Sequence, residues 1–247
     1  MRRFGLTGYP LTHSWSQRFF NEKFKSEGFT DCRYELFPRR DLTGFREWIS
    51  DQPDLYGLNV TIPYKISIIK LLDDMDKVAL EIGAVNTIKI SRISDIIRLK
   101  GFNTDAEGFR NSIPQPLRHY HALILGSGGA SKAIAKAFRD LGIDFKLVSR
   151  TPLFGTGISY EGLDATEMSN ATLIINTTPL GMFPDVETFP LIPYELITPH
   201  HLLIDLVYNP EETLFLKKGK ARGAKTLNGL NMLQFQAELA FKIFFSD

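Results

Sequence analysis

The sequence predicts an α/β protein of two domains, the second built on a doubly wound parallel sheet. Three observations carry that expectation. In the first half, short β-rich runs alternate with helical patterns, as in a layered fold with a mostly parallel sheet. From residue 121 an apolar run passes through a glycine-rich turn into an amphipathic helix. The 247 residues suit one large domain or two modest ones, at a typical ~100–200 per domain.

Taken in order, residues 3–8 read as a strand, 14–26 as a helix, 33–37 as a strand, 42–50 as a helix and 56–60 as a third strand. Pro63 stands where proline suits the first turn of a helix reaching about residue 72. Residues 85–91 and 96–100 read as a hairpin, and 104–112 as a short helix. Pro114 and Pro116 then break the pattern, and 117–121 is a polar interlude. The domain boundary is placed there, giving a first domain over 1–113 and a second over 114–228. The second opens with HALILGSGGASKAIAKAFRDLG: a strand, a turn, and a helix closed by Gly142. Further strands are expected at 145–148, 171–175 and 202–206. The tail, 229–247, is helical, with Leu233, Ala237, Ala240 and Phe244 forming an apolar stripe. Periodicity alone does not assign that helix to either domain.

Composition narrows the function classes. There are 29 Lys+Arg against 28 Asp+Glu, a formal charge of +1, with 43% hydrophobic residues. That excludes a disordered chain, and no Lys/Arg run marks a nucleic-acid binder. The single cysteine, Cys32, supports neither an internal disulfide nor a cysteine-based zinc cluster, so a reducing compartment, the cytoplasm, is expected. Apolar runs such as 122–125 and 202–204 fall far below the ~18–20 residues of a membrane span, and MRRFGLTGYP lacks the apolar core of a secretory signal. No His/Cys/Asp cluster stands at metal spacing, so no metal is expected.

Gly126, Ser127, Gly128, Gly129, Ala130 and Ser131 lie between a strand and a helix, the context of a Rossmann-like dinucleotide fingerprint. The backbone must approach a pyrophosphate closely, with helix N–H groups facing the anion. The match ends in Ser131 where Gly or Ala is usual, and a tight turn binding nothing is the plainer alternative. About 20 residues on, where an acidic residue would read the free ribose of NAD, stand Ser149, Arg150 and Thr151. An arginine there suits the extra phosphate of NADP.

Four polar clusters stand out in the first half. Ser14 and Ser16 flank Trp15 before a helix, where capping is the ordinary role. Asn59-Val60-Thr61-Ile62-Pro63-Tyr64-Lys65 places a lysine in an expected first helical turn, against the dipole. Asn86 sits at the mouth of a strand, and Asp105 at the next helix start. Singly each reads as structural; together they describe a polar substrate pocket.

The segments HSWS, NVTIPYK, GAVNT, GFNTDAEGF, LGSGGAS, SRT, NTTPLGM, DLVYNPEET and GLNMLQFQA stand in order, and together closely resemble shikimate dehydrogenase, a resemblance that spans Gly8 to Phe241. The resemblance implies reduction of 3-dehydroshikimate to shikimate with NADPH, in a cleft between two α/β domains, the C-terminal helix returning to the substrate domain. It implies Lys65 and Asp105 as the proton-relaying pair, and Ser14 and Ser16 as anchors of the substrate carboxylate. Thr61, Asn86, Tyr208 and Gln236 match further substrate contacts. Gly126, Ser127, Gly128, Gly129, Ala130, Ser149, Arg150, Thr151, Asn176, Thr177, Leu206 and Gly229 match positions on NADP(H).

Two departures stand against that pattern. Gln17 and Phe20 replace the proline and histidine usual after the second serine. Pro152-Leu153-Phe154-Gly155-Thr156-Gly157 supplies no second basic residue, so the phosphate clamp is expected to rest on Arg150 and hydroxyls. The alternatives are a quinate/shikimate dehydrogenase accepting NAD, a silent ligand-binding regulator of the same fold, and a module of a fused polypeptide. The oligomeric state is not legible, with a homodimer among the options.

Overall fold

The structure, a computed structural model, describes residues 1–11, 14–93, 96–114, 121–152 and 157–246. His13, the polar interlude through residue 120, and residues 153–156 of the reduced clamp lie outside the described residues. Packing divides the chain into two compact units, Met1–Thr104 with Gln236–Asp247, and Asp105–Phe235. The sequence-based limits at 113/114 and 228/229 differ from this division.

The first unit runs β1 (Arg2–Gly8), α1 (Trp15–Ser26), β2 (Cys32–Pro38), α2 (Phe45–Ser50), β3 (Leu55–Val60), β4 (Asp74–Met75), α3 (Lys77–Ile82), β5 (Thr87–Ile93) and β6 (Ile96–Phe102). Its six strands lie in the order β2-β1-β3-β5-β6-β4. β1 is parallel to β2 and β3, while β5 runs antiparallel to β3 and β6. The sheet is therefore mixed.

The helix expected from Pro63 does not form. Residues 62–66 make turns, and only Ser67–Leu71 winds, as a 3-10 helix. The Lys65 carbonyl, which an α-helix would offer to Ile69, accepts instead from the Val85 N–H at 2.7 Å, and the Ile69 N–H turns to Ile66 at 3.4 Å. The β-branched Ile66, Ile68 and Ile69 add little helix propensity to resist this. Lys65 thus opposes no helix dipole, which corrects that part of the sequence argument.

In the second unit follow α4 (Asp105–Ser112), β7 (His121–Leu125), α5 (Gly129–Leu141), β8 (Asp144–Val148), β9 (Gly157–Ile158), α6 (Ala165–Asn170), β10 (Leu173–Asn176), β11 (Leu202–Asp205), α7 (Leu214–Lys220) and β12 (Lys225–Leu227). The strand order is β12-β11-β10-β7-β8-β9, every pair parallel. Chain order thus winds outward in both directions from β7, and reverses between β7 and β10. Leu123, Leu125, Ile174 and Leu203 pack with Phe215 and Met168 in its core. α4 belongs to this unit, where Phe109 meets Phe138 of α5 edge-on at 5.5 Å.

The last helix, α8 (Leu230–Phe245), crosses the division at Phe235/Gln236. In the first unit its Ala237, Ala240 and Phe244 are buried with Phe4, Phe20, Phe24 and Tyr34. Gly57 on β3 makes this approach feasible, since a Cβ there would lie 2.5 Å from the Phe244 ring. Leu233, the fourth residue of the expected stripe, is half-buried.

Candidate active site

In the first unit, the ends of β3, β5 and β6 gather a buried polar network. Asn86, just before β5, accepts at Oδ1 from the Thr104 N–H at 2.8 Å and from the Thr87 hydroxyl at 3.2 Å. Its Nδ2 donates to the Thr104 hydroxyl oxygen at 2.8 Å and to Gln236 Oε1 at 3.4 Å. Thr104 also donates to Gln236 Oε1, at 3.3 Å. Asn86 and Gln236, 150 positions apart, are thereby brought together by the return of α8.

Lys65 is held by its backbone. Its neighbour Tyr64 is buried and donates its hydroxyl to the Arg39 carbonyl at 2.7 Å, while Val85 N–H clamps the Lys65 carbonyl. Thr61 directly follows β3; its N–H donates to the Thr7 carbonyl at 2.9 Å and its carbonyl accepts from Tyr64 at 3.0 Å. Gly8 lies against it, a Cβ there falling 2.3 Å from Thr61 Cγ2. Lys65 and Thr61 are half-buried.

Ser14 occupies the N-cap position of α1 with extended backbone, yet its side chain makes no capping hydrogen bond. Ser16 lies in the first turn of that helix, and both serines are half-buried. Capping therefore does not account for Ser14. Phe20, where the resembled family carries histidine, is fully buried and stacks on Tyr34 at 4.4 Å.

The second unit carries the glycine turn at its strand-order reversal. Gly126 adopts φ +121°, and a Cβ there would stand 2.6 Å from the Thr177 hydroxyl oxygen. Gly128 caps α5 without any side-chain hydrogen bond, and a Cβ on it would meet nothing within 4 Å. The N-cap position thus offers the first-turn N–H groups of this 13-residue helix no side-chain acceptor, and among the described residues open space lies beside Gly128. Ser127 and Gly128 are exposed, Gly129 and Ala130 half-buried. This geometry fits a pyrophosphate. Thr177, following β10, donates its hydroxyl to the Leu125 carbonyl at 2.7 Å and lies 2.6 Å from the Ser131 hydroxyl.

At the end of β8, Ser149 is buried and Arg150 and Thr151 are exposed. The Ser149 N–H donates to the Ile158 carbonyl at 3.1 Å, which fixes the strand end from which Arg150 projects. The positive charge of Arg150 draws the Tyr160 phenol down, against a larger upward push from burial.

At the ends of β10 and β11 a second polar knot forms around Asp205, a residue the sequence reading assigned no role. Its Oδ1 accepts from Asn176 Nδ2 and the Val207 N–H, both at 3.0 Å, and its Oδ2 from the Thr213 hydroxyl at 2.5 Å. Burial pushes its carboxyl up to about 6, against the downward pull of these three donors. Asn176 passes the order on, its Oδ1 accepting from Thr178 N–H and hydroxyl at 3.0 and 2.6 Å. Leu206 N–H donates to the Asn176 carbonyl at 2.9 Å, and Gly229 N–H to the Val207 carbonyl at 3.3 Å. Gly229 sits so close that a Cβ would fall 2.1 Å from the Leu206 carbonyl oxygen. Asn176, Leu206 and Gly229 thus form one cluster, with half-buried Tyr208 two residues beyond Leu206.

Asp105, buried, is the first residue of α4 and belongs to the second unit, whereas Lys65 belongs to the first. Among the described residues no group of three or more His, Cys, Asp or Glu could hold a metal ion, and no helix is long and apolar enough to cross a membrane. Besides Asp205, the sequence reading gave no role to Asn59, Thr87, Thr104 and Tyr34. The first three lie in or beside the quoted NVTIPYK, GAVNT and GFNTDAEGF segments, which was the available signal; Tyr34 carried none.

Comparison with known proteins matches a family model described as the shikimate dehydrogenase substrate binding domain over residues 6–88. The shikimate dehydrogenase (NADP(+)) of Halothermothrix orenii is 38% identical over 266 residues, covering 97% of this chain and 89% of that protein. The shikimate 5-dehydrogenase of Thermus thermophilus, solved in complex with NADP(H) and shikimate, superposes with a TM-score of 0.84 at 33% identity, covering 99% of this chain and 94% of the other. A quinate dehydrogenase from Corynebacterium glutamicum, in complex with NAD, gives 0.82 at 26% identity over 99% and 93%. The two units, the doubly wound sheet and the ordered motifs have a common source: the chain belongs to the shikimate dehydrogenase family.

Proposed function

We propose that this NADP-dependent oxidoreductase reduces 3-dehydroshikimate to shikimate, serving aromatic amino acid and chorismate biosynthesis in the cytoplasm. The observation that carries the reading is the likeness, over 99% of the chain, to an enzyme solved with both NADP(H) and shikimate. In this reading residues 1–113, joined by the helix of 229–247, take the substrate, and 114–228 take the dinucleotide.

NADPH, when bound, would supply the hydride that the ketone carbon accepts. The chain's own residues hold the substrate and manage the proton. Ser14 and Ser16 donate hydroxyl hydrogens to the ring carboxylate, while Thr61, Asn86, Tyr208 and Gln236 meet the ring hydroxyls. The Lys65 ammonium stabilises negative charge developing on the ketone oxygen and delivers a proton to it, the Asp105 carboxylate orients that ammonium, and the neutral amine left behind regains its proton from solvent. The clamped Lys65 carbonyl supports this role, because it removes backbone freedom at the base of a flexible side chain.

On the cofactor side, Gly126, Ser127, Gly128, Gly129 and Ala130 take the pyrophosphate. Ser149, Arg150 and Thr151 take the adenosine ribose phosphate. Asn176 and Thr177 would stand on the nicotinamide side, and Leu206 and Gly229 would also hold the cofactor.

The deciding assay follows NADP+ reduction with shikimate, beside quinate and beside NAD+. Shikimate with NADP+ is expected to give the highest kcat/KM. Equal or faster turnover of quinate with NAD+ would move the chain to the quinate-type reading, and no turnover of either would leave a ligand-binding regulator.

A further inference from the structure

The Asn86 carboxamide can face either way in a pocket, and only one way presents its NH2 to Thr104 and Gln236. Backbone groups fix which way it faces. Asn86 Oδ1 accepts from the Thr104 N–H at 2.8 Å, and a backbone N–H can only donate. Asn59, buried on β3, is pinned by the same logic: its Nδ2 lies 3.3 Å from the Asn86 carbonyl, which can only accept.

The remaining hydrogens follow without choice. Asn59 Nδ2 also donates to Thr87 Oγ1 at 3.1 Å, so the Thr87 hydroxyl hydrogen points onward to Asn86 Oδ1 at 3.2 Å. At the other end, Asn59 Oδ1 is an acceptor, so the Tyr34 hydroxyl, 2.7 Å away, must donate to it. The path runs in one direction, from Tyr34 through Asn59 and Thr87 to Asn86, and on through Nδ2 to Thr104 and Gln236.

Its origin is rigid. Tyr34 is fully buried, and desolvation raises its phenol well above the usual range, which keeps the donor hydrogen in place. Its ring stacks on Phe20, 2° from parallel. The Asn21 side chain holds the Tyr34 backbone on both sides, accepting from its N–H at 2.9 Å and donating to its carbonyl at 3.0 Å.

We propose that Tyr34, Asn59 and Thr87 are positioning residues that orient the Asn86 carboxamide, and through it Gln236, for recognition of the substrate's ring hydroxyls. This rests on the reading of Asn86 as a substrate contact. Wrong polarity at any link would set two acceptors or two donors face to face in a dry site, an arrangement that proteins avoid.

The test compares Thr87→Val, Thr87→Ser, Tyr34→Phe and Asn86→Ala by steady-state kinetics with shikimate and NADP+, with thermal unfolding alongside. Thr87→Val, which keeps the shape and removes the hydroxyl, is expected to raise the shikimate KM by about 3- to 10-fold, the range for one neutral hydrogen bond. Its NADP+ KM should stay within twofold, roughly the scatter of a substitution that touches no cofactor group. Thr87→Ser should restore the wild-type shikimate KM, and Tyr34→Phe should raise it in the same direction as Thr87→Val. If Asn86→Ala raises the shikimate KM while Thr87→Val and Tyr34→Phe lower only the melting temperature, the positioning role is overturned. If Asn86→Ala leaves the shikimate KM unchanged, the substrate-contact reading itself fails, and the proposal with it.

Discussion

The Ser131 hydroxyl lies 2.6 Å from the Thr177 hydroxyl, across the gap where the strand order of the second unit reverses. Thr177 donates its own hydrogen to the Leu125 carbonyl, so Ser131 is the donor of the pair. The serine that breaks the usual glycine fingerprint is therefore tied to the sheet. Ser131→Ala is expected to lower stability by about 1 kcal/mol, the worth of a neutral hydrogen bond. Gly126→Ala should instead raise the NADP+ Kd at least tenfold, since φ is +121° and the Cβ would strike Thr177. Calorimetric NADP+ titration with thermal melts separates the two effects.

Lys65→Ala is expected to lower kcat by ~10²–10⁴, the usual range for a general acid–base group, with little change in shikimate KM. Asp105→Asn should lose kcat comparably and weaken substrate binding as well. Wild-type kcat in a folded Lys65→Ala protein would remove the lysine from the mechanism.

Ser14 caps no N–H of α1 through its side chain, so the helix loses little when the hydroxyl is removed. Replacing Ser14 and Ser16 together by alanine should raise the shikimate KM by at least ~10-fold, given the ~1.5–3 kcal/mol of hydrogen bonds to a charged group. The melting temperature should hardly move. A melting temperature that falls while KM stays constant would return both serines to a purely structural role.

Arg150 is exposed at the end of β8, free to meet a phosphate in solvent. Arg150→Ala is expected to narrow the NADP+ over NAD+ preference by roughly 10- to 100-fold, with NADP+ affinity in the wild type falling as salt rises. Kd values for both cofactors at two salt concentrations decide the matter; a ratio unmoved by the substitution places the discriminating contact elsewhere.

Asp205 gives a pH dependence with a definite sign. Burial raises its folded pKa from 3.8 to about 6, so between these values the folded state holds the proton more tightly than the unfolded chain. Its contribution to stability is then greatest below about pH 4, and falls as pH rises to 6. The loss amounts to roughly 3 kcal/mol for a shift of about two units. The difference in unfolding free energy between wild type and Asp205→Asn should decline across that window and level off above it. Denaturant titrations at pH 4, 5, 6 and 7 measure it, and a flat difference would contradict the shift.

What could be read from sequence and what could not divide along a physical line. The strands through residues 3–8 and 121–125, the turn at Gly126–Ser131 and the helix closed by Gly142 each declare themselves in neighbouring residues. Apolar periodicity and glycine placement act over a few positions. The ordered motifs also carried the family, because NVTIPYK and GFNTDAEGF are each spelled out as an unbroken run of the sequence. Strands of two or three residues, β4, β9 and β12, carry no periodicity and passed unseen. The helix expected after Pro63 was lost to a contact from Val85, twenty positions away from Lys65. The sequence alone likewise could not assign α8: its apolar stripe states that one face is buried, and only packing against Phe4 and Gly57 states where. Tyr34, Asn59, Thr87 and Asn86 form one directed path, and Asp205 gains three donors, only when strand register brings distant positions within 3 Å or so. Local propensity writes the elements; hydrogen-bond polarity across a sheet exists only once the sheet has formed.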